Sequence, residues 1–472
     1  MTATTLEPPV PVADPAPSSG RRVALALTAA SLPMFMATLD NLVMTSALPV
    51  VQADLDASVG QLSWFMNAYT LTFATFMLAA ATIGDRLGRR RTMIVGIAVF
   101  TLASIAAALS SSAEALIVAR AVQGLGAAAV VPLSLTLLAA AVPAAQRALA
   151  IGVWSGVAGL GVAVGPVVGG AVVEGLSWQA IFWINVPVAL VAVPLLLVGT
   201  RESRSSAPGR LDPTGTLLVG GAVFAGIWGI VHGEEDGWSS GSVVTTLVLA
   251  GVLAVLYVAW GSRRADAVLP LRLFRHRGFS AANAIGLTFS LGMFGSVFLL
   301  SQYLQVVQGY SPLEAGLRTL PWTALPMVVA PIAGAIAPRV GLRPLLVTGM
   351  SLQVVALLWF VQATESWSGY DGLVLPLLLA GAGMGLTFPP MSTAVLEGMP
   401  EDDFAVASSA NNTVREFGVA LGIAVIVAVF QGHGGEISPT GYDGAIGPAL
   451  VAAAIAVGIA LAAALFVPGR RR

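Results

Sequence analysis

Fourteen stretches of about 20 mainly apolar residues follow one another along this chain, each long enough to cross a bilayer as a helix. They run at roughly 23–49, 61–83, 92–111, 113–141, 148–173, 178–198, 213–231, 242–260, 279–307, 313–337, 344–363, 372–396, 405–430 and 445–467. Backbone amides have no water partner in hydrocarbon, so a segment of this kind is helical. Only 10% of the residues are charged and 56% are hydrophobic, against about 25% charged in soluble domains. Most of the surface therefore faces lipid, and the fold class expected is an all-α, multi-pass membrane protein.

Arginine placement supports the count. Lysine is absent, so all 23 basic residues are arginine. Arg21, Arg22, Arg86, Arg89–Arg91, Arg147, Arg201, Arg204, Arg210, Arg263, Arg264, Arg272, Arg275, Arg277, Arg339, Arg343 and Arg470–Arg472 all fall on one side if every span crosses. Acids such as Asp54, Asp56, Glu174, Glu234–Asp236, Glu365, Glu436 and Asp443 fall on the other. Cytoplasmic loops collect basic residues, which puts both termini in the cytoplasm of a cell with this protein in its plasma membrane. Residues 1–22, rich in Pro, Ala and Ser, read as a disordered tail. Without lysine there is no phosphate-binding P-loop, so ATP is not expected to drive this chain. Without cysteine there are no disulfides, thiolate metal sites or cysteine nucleophiles. A net charge of −1 gives no field directed at nucleic acid.

The chain also repeats itself. Asp85-Arg86-Leu87-Gly88-Arg89-Arg90 follows span two, and Pro338-Arg339-Val340-Gly341-Leu342-Arg343 follows span ten, 253 residues later. Eight spans lie between, an even number, so the copies share one orientation. That pattern marks a parallel repeat about an axis along the membrane normal. It predicts a six-helix bundle over 23–200, two inserted helices over 211–262, a second six-helix bundle over 279–467 and a basic tail at 468–472.

These segments resemble the major facilitator superfamily. Asp85, Arg86, Gly88, Arg89 and Arg90 match its cytoplasmic loop motif, with Ala81 where Gly is usual. Arg120-Ala121-Val122-Gln123-Gly124-Leu125-Gly126 is similar to its second motif. Gly161, Gly165, Pro166, Gly169 and Gly170 are similar to the motif of its antiporters. Leu39-Asp40-Asn41 with Ala47-Leu48-Pro49, together with Trp64, Tyr69, Trp178 and Asn185-Val186-Pro187, resembles the fourteen-helix drug–proton antiporters, with Gln179 where Arg is common. The resemblance covers about 23–467. It implies export of drugs or metabolites against protons by a chain that needs no cofactor.

Four charges lie deep in predicted spans: Asp40, Arg120, Arg415 and Glu416. An ionised group there costs about 2.5–3.5 kcal/mol or more, so each needs a reason. Asp40 and Arg120 sit at matching depths, and neighbouring spans one and four would pair them. Pairing lowers an acid's pKa and burial raises it, which makes the pair either a proton site or a static ion pair that orients two helices. Arg415 and Glu416 are adjacent and point roughly 100° apart; Glu416 is a second proton or cation site, or the two belong to a local ion network. Gly161, Gly165 and Gly169 share one helix face beside Pro166, which suits either a rocking seal between halves or ordinary close packing. Asp85 can latch the cytoplasmic mouth by reaching an Arg or helix N-terminus across the halves; Arg89–Arg91 can equally serve orientation alone. His232, His276 and His433 are expected in loops.

Metal-ligand clusters and Ser–His pairs are not visible, which removes the parts a membrane enzyme or metal site needs. The surviving readings are a transporter exporting hydrophobic small molecules and, alternatively, a same-fold importer of a small polar solute. Asn41, Trp64, Tyr69, Gln123, Tyr303 and Gln305 are expected to line the cargo cavity of a monomer. An apolar lining with one or two acids fits lipophilic cargo.

Overall fold

The structure is a computed structural model that describes residues 20–57, 59–205, 212–264, 267–365, 369–436, 438 and 441–469. Arg210, Arg470–Arg472 and most of the N-terminal tail lie outside the described residues, as do the side chains of Pro166, Glu174, Glu234, Glu235 and Glu365 and the surroundings of Gly170. Sixteen α-helices run in order: α1 (Gly20–Leu55), α2 (Val59–Leu87), α3 (Arg89–Ala108), α4 (Ala113–Ala141), α5 (Ala144–Gly175), α6 (Ala180–Trp183), α7 (Asn185–Gly199), α8 (Pro213–Glu235), α9 (Gly241–Gly261), α10 (Arg277–Gln302), α11 (Pro312–Thr323), α12 (Pro326–Val340), α13 (Leu342–Glu365), α14 (Tyr370–Leu396), α15 (Phe404–Gly432) and α16 (Ile446–Ala464). They supply 14 candidate membrane spans among the described residues.

Two spans are broken, and proline accounts for both. Pro187 has no N–H for the carbonyl of Trp183, where α6 gives way to α7; Pro326 has none for Trp322, where α11 gives way to α12. Span nine ends differently, in a π-helical turn over Tyr303–Val307.

The packing has two equivalent halves. α1 packs on α5 and α7, and α10 on α15 and α16. α3 packs on α4 and α7, and α13 on α14 and α16. Between the halves α5 meets α12 and α2 meets α15, so the fifth span of each half meets the second span of the other. Both copies of the loop repeat fold alike: Gly88 has φ 117° and Gly341 has φ 92°, a region that side chains other than Gly avoid. α8 and α9 pack together, and α8 fills the seam between α2 and α15. Exposed apolar residues such as Leu190, Val198 and Leu217 cover the outside, as lipid contact requires.

One expectation about the loops needs correction. His232 lies within α8, stacked on Trp228 at 3.7 Å with its Nδ1 3.0 Å from the Trp228 carbonyl. The helix simply runs one turn further than the hydropathy of its last residues suggested.

Orientation can be read by labelling, because the chain has no cysteine of its own. A cysteine replacing exposed Trp238, between α8 and α9, should react with an impermeant maleimide added to intact cells. A cysteine replacing Arg204 should react only after permeabilisation. The reverse pattern would invert the topology, and protection of both Trp238→Cys and Arg204→Cys from outside would mean that α8 and α9 do not cross.

Candidate functional site

The deep charges separate into two sites of different character. In the first half, Asp40 and Arg120 form an ion pair at 2.5 Å, with 1% and 0% of their side chains exposed. The second carboxylate oxygen accepts from Asn185 Nδ2 at 2.6 Å and Gln123 Nε2 at 3.1 Å. Arg120 also donates to Gln123 Oε1 at 2.9 Å and to the Phe65 carbonyl at 3.0 Å, and reaches Asn41 Oδ1 at 3.5 Å. Ser104 Oγ accepts from Gln123 at 2.6 Å and Asn185 at 3.1 Å. The Arg120 guanidinium lies over the Tyr69 ring, 4.6 Å from the centroid. The network joins α1, α2, α3, α4 and α7, and every member hydrogen-bonds, as burial in a low dielectric demands.

The second half has no counterpart. Glycine contacts set the register: Gly96 faces Gly126 as Gly349 faces Gly383, and Gly161 and Gly165 face Thr38 and Leu42 as Gly418 and Gly422 face Leu287 and Leu291. That register puts Phe289, Leu357, Leu377 and Ala380, all fully buried, where the first half has Asp40, Ser104, Arg120 and Gln123. It also puts Arg415 and Glu416 where the first half has Ala158 and Gly159.

All four of these last residues line a central cavity of about 210 Å³ between the halves. Its wall is largely apolar and includes the aromatic rings of Tyr69, Phe73, Trp154, Phe294 and Phe388. Polar groups are few: Thr38, Asn41 and Ser155 from one half, and Ser392 and Asn412 beside the charged pair from the other. Arg415 donates to Asn412 Oδ1 at 3.2 Å and rests on the Phe388 ring at 4.6 Å. Among the described residues Glu416 has no hydrogen-bond partner and no side chain in ion-pair contact. Asp40 and Arg120 do not touch the cavity; Asn41 and Tyr69 stand between.

Four expected lining residues lie elsewhere because helix register turns them away. Gln123 belongs to the buried network. Trp64 faces α8, 5.5 Å from the His232 ring. Tyr303 packs on Tyr442 at 6.0 Å and accepts from Gln308, and Gln305 turns back on Ser301; the π-helical turn rotates both off the cavity face.

The glycine face of α5 also needs correction. Gly161 and Gly165 pack on α1 of their own half, as Gly418 and Gly422 pack on α10, and Gly169 is buried on the same row. The contact between halves is made nearer the N-terminal end of α5. There a methyl on Gly152 would lie 2.7 Å from the Ala330 carbonyl, and Gly334 abuts Ala148 and Gly152. Gly152 and Gly156 are themselves four apart, a signal legible in the sequence but overlooked beside the longer row.

At the mouth on the side of the loop repeat, the loop motif makes the latch through Arg89. Asp85 holds Arg89 Nε at 2.8 Å within its own half, and Arg89 Nη2 crosses to the carbonyls of Glu401 at 3.0 Å and Asp402 at 3.4 Å. Arg147 adds an ion pair to Glu401 at 2.9 Å. Arg90 instead donates to Leu197 and Thr200 carbonyls, and Arg86 makes no contact of this kind among the described bonds. Glu202, unremarked in the sequence, caps α3 by accepting from the Arg90 and Arg91 amides at 3.1 and 3.2 Å. Its carboxylate occupies the space a Gly88 side chain would need. In the second copy Pro338 and Leu342 replace Asp85 and Arg89, so that loop has no such latch.

A family model for the Major Facilitator Superfamily matches residues 30–423. The tetracenomycin C resistance and export protein of Streptomyces glaucescens is 34% identical over 414 residues, 88% of this chain and 77% of its own length. The methylenomycin A resistance protein of Streptomyces coelicolor is 34% identical over 437 residues, 89% of this chain and 90% of its own. The crystallised proton:xylose symporter XylE shares the fold, with a TM-score of 0.66 over 96% of this chain at 13% identity. The chain is a multi-pass membrane transporter and belongs to the Major Facilitator Superfamily. Its relatives include a tetracenomycin C resistance and export protein, a multidrug resistance protein and a methylenomycin A resistance protein.

Two outcomes follow. Arg120→Leu strands a buried carboxylate and should lower stability by about 3–5 kcal/mol; Asn185→Leu removes one donor and should cost about 1–3 kcal/mol, both read by thermal unfolding in detergent. At the mouth, Arg89→Ala removes charge-assisted bonds worth about 1.5–3 kcal/mol. It should raise labelling of a cysteine at Ser155 from the cytoplasmic face roughly tenfold. Glu401→Ala keeps the carbonyls that Arg89 uses and should change labelling by less than about threefold.

Proposed function

We propose that this chain exports amphipathic antibiotics across the cell membrane in exchange for protons, working as a monomer with both termini in the cytoplasm. The observation that carries the proposal is the placement of a buried, titratable Asp40–Arg120 pair directly behind the wall of an aromatic cavity. Protonating Asp40 removes the charge that holds Arg120. Arg120 keeps its carbonyl and amide acceptors, so it can swing without being stranded. The tie of α1 to α4 and α7 then falls to neutral hydrogen bonds and weakens. α1 lines the cavity with Thr38 and Asn41, and it packs on α5 through Gly161 and Gly165. α5 in turn forms the cytoplasmic seal with α12. One proton event therefore acts on the cavity wall and on the seal through elements in direct contact.

Exchange requires that cargo and proton each change the other's affinity. Asn41 meets both the cavity and Arg120, which makes it the natural contact for that coupling. Glu416, unpaired at the cavity, is a second group for a proton. The alternative of inward transport of a polar solute is less well served: the wall offers few hydrogen-bonding groups, and the named relatives export or resist antibiotics.

In proteoliposomes with an imposed pH gradient, Asp40→Asn should abolish uphill transport and keep downhill flux, and Asp40→Glu should keep part of the uphill rate. Full gradient-driven transport by Asp40→Asn would transfer the proton role to Glu416. A susceptibility panel in a pump-deficient host, with tetracenomycin C and methylenomycin A included, identifies the cargo.

A further inference from the structure

Arg415 is a permanent cation inside the membrane with no anion in ion-pair contact among the described residues. Its Nε is buried without a hydrogen-bond partner, its one acceptor is the neutral Asn412 side chain, and among the described residues no carboxylate stands in ion-pair contact with it. The neighbouring Glu416 acts on it only through space, because successive residues diverge around the helix. The contrast with Arg120 is direct. That guanidinium, fully buried where Arg415 is only partly so, is met by a carboxylate and three other acceptors. A buried charge left unpaired is expensive, so the partner of Arg415 comes from outside the chain.

Its position says where. Arg415 lines the cavity, held flat on Phe388, with Ser392 and Asn412 beside it and Trp154 and Phe294 lining the same space. Both charged groups lie on the second half, and Tyr69, Phe73 and Trp154 line the cavity from the first. We infer that this cavity binds amphipathic organic anions: Arg415 pairs with a carboxylate, phenolate or enolate on an aromatic body, and the body stacks within the aromatic wall. This rests on the reading of the cavity as the cargo site and deepens it by naming the charge of the cargo. Glu416 then acts against the ligand's anion, since its own negative charge lies in the same space.

The test uses the full-length protein in phosphatidylcholine nanodiscs and three fluorescent probes of one shape: anthracene-9-carboxylate, its methyl ester, and the trimethylammonium analogue (anthracen-9-ylmethyl)trimethylammonium. The carboxylate should bind about tenfold tighter than the ester, and the cation weakest, as one charge-assisted pair predicts. Arg415→Gln should collapse the carboxylate-to-ester ratio towards one, and Arg415→Lys should restore part of it, which a folding defect would not do. Glu416→Gln should tighten carboxylate binding about threefold or more. A ratio that survives Arg415→Gln, or a cation that binds as tightly as the carboxylate, would overturn the inference while leaving the cavity as a cargo site. If neither the ester nor the carboxylate binds, or if Trp154→Ala leaves both affinities unchanged, the cavity reading fails with it.

Discussion

A carboxylate and a guanidinium held together inside the hydrocarbon region set the terms for the rest of this structure. Either charge alone is costly in the membrane, and the pair persists because Gln123, Asn185, Ser104, Asn41 and the Phe65 carbonyl satisfy the remaining donors and acceptors. Five helices must converge to supply those groups. The first bundle is thus organised around a polar centre, and the second bundle, at the same positions, around Phe289, Leu357, Leu377 and Ala380. The halves share a path through space and differ in what they bury.

That asymmetry divides labour. The network ties α1 to α4 and α7, and α1 reaches α5 through a glycine row repeated in α10 and α15. The same α5 meets α12 at Gly152 and Gly334, where only a side chain of one hydrogen lets the backbones approach. The Arg89 latch belongs to the first copy of the loop repeat, and the second has Leu342 where Arg89 would stand. Meanwhile the second half presents its charges, Arg415 and Glu416, to the cavity rather than burying them. On the proposed mechanism, one half holds the switch and the other offers the charged surface to cargo.

Most of the architecture was legible because membrane physics writes it plainly. Apolar length marked the fourteen spans, arginine asymmetry their alternation, and the Arg-Gly-Arg echo the repeat. Depth matching also paired Asp40 with Arg120. What stayed hidden was rotation about each helix axis. Trp64, Gln123, Tyr303 and Gln305 were assigned to the cavity by type and depth, yet register turned each elsewhere. Gly161 and Gly165 were read as a seal between halves because spacing identifies a smooth face and says nothing of which neighbour meets it. Ser104 and Glu202 carried no signal beyond being polar near a span, since their partners lie 19 to 112 residues away.

The central claim is that cargo and protons move in opposite directions through one set of coupled groups. Its most direct test is proton movement driven by cargo alone. Proteoliposomes carrying a pH-sensitive dye and no initial gradient should show proton flow opposite to a cargo gradient imposed across them, at a fixed ratio of protons to cargo. Cargo that crosses at the same rate while the dye signal stays flat would contradict the account.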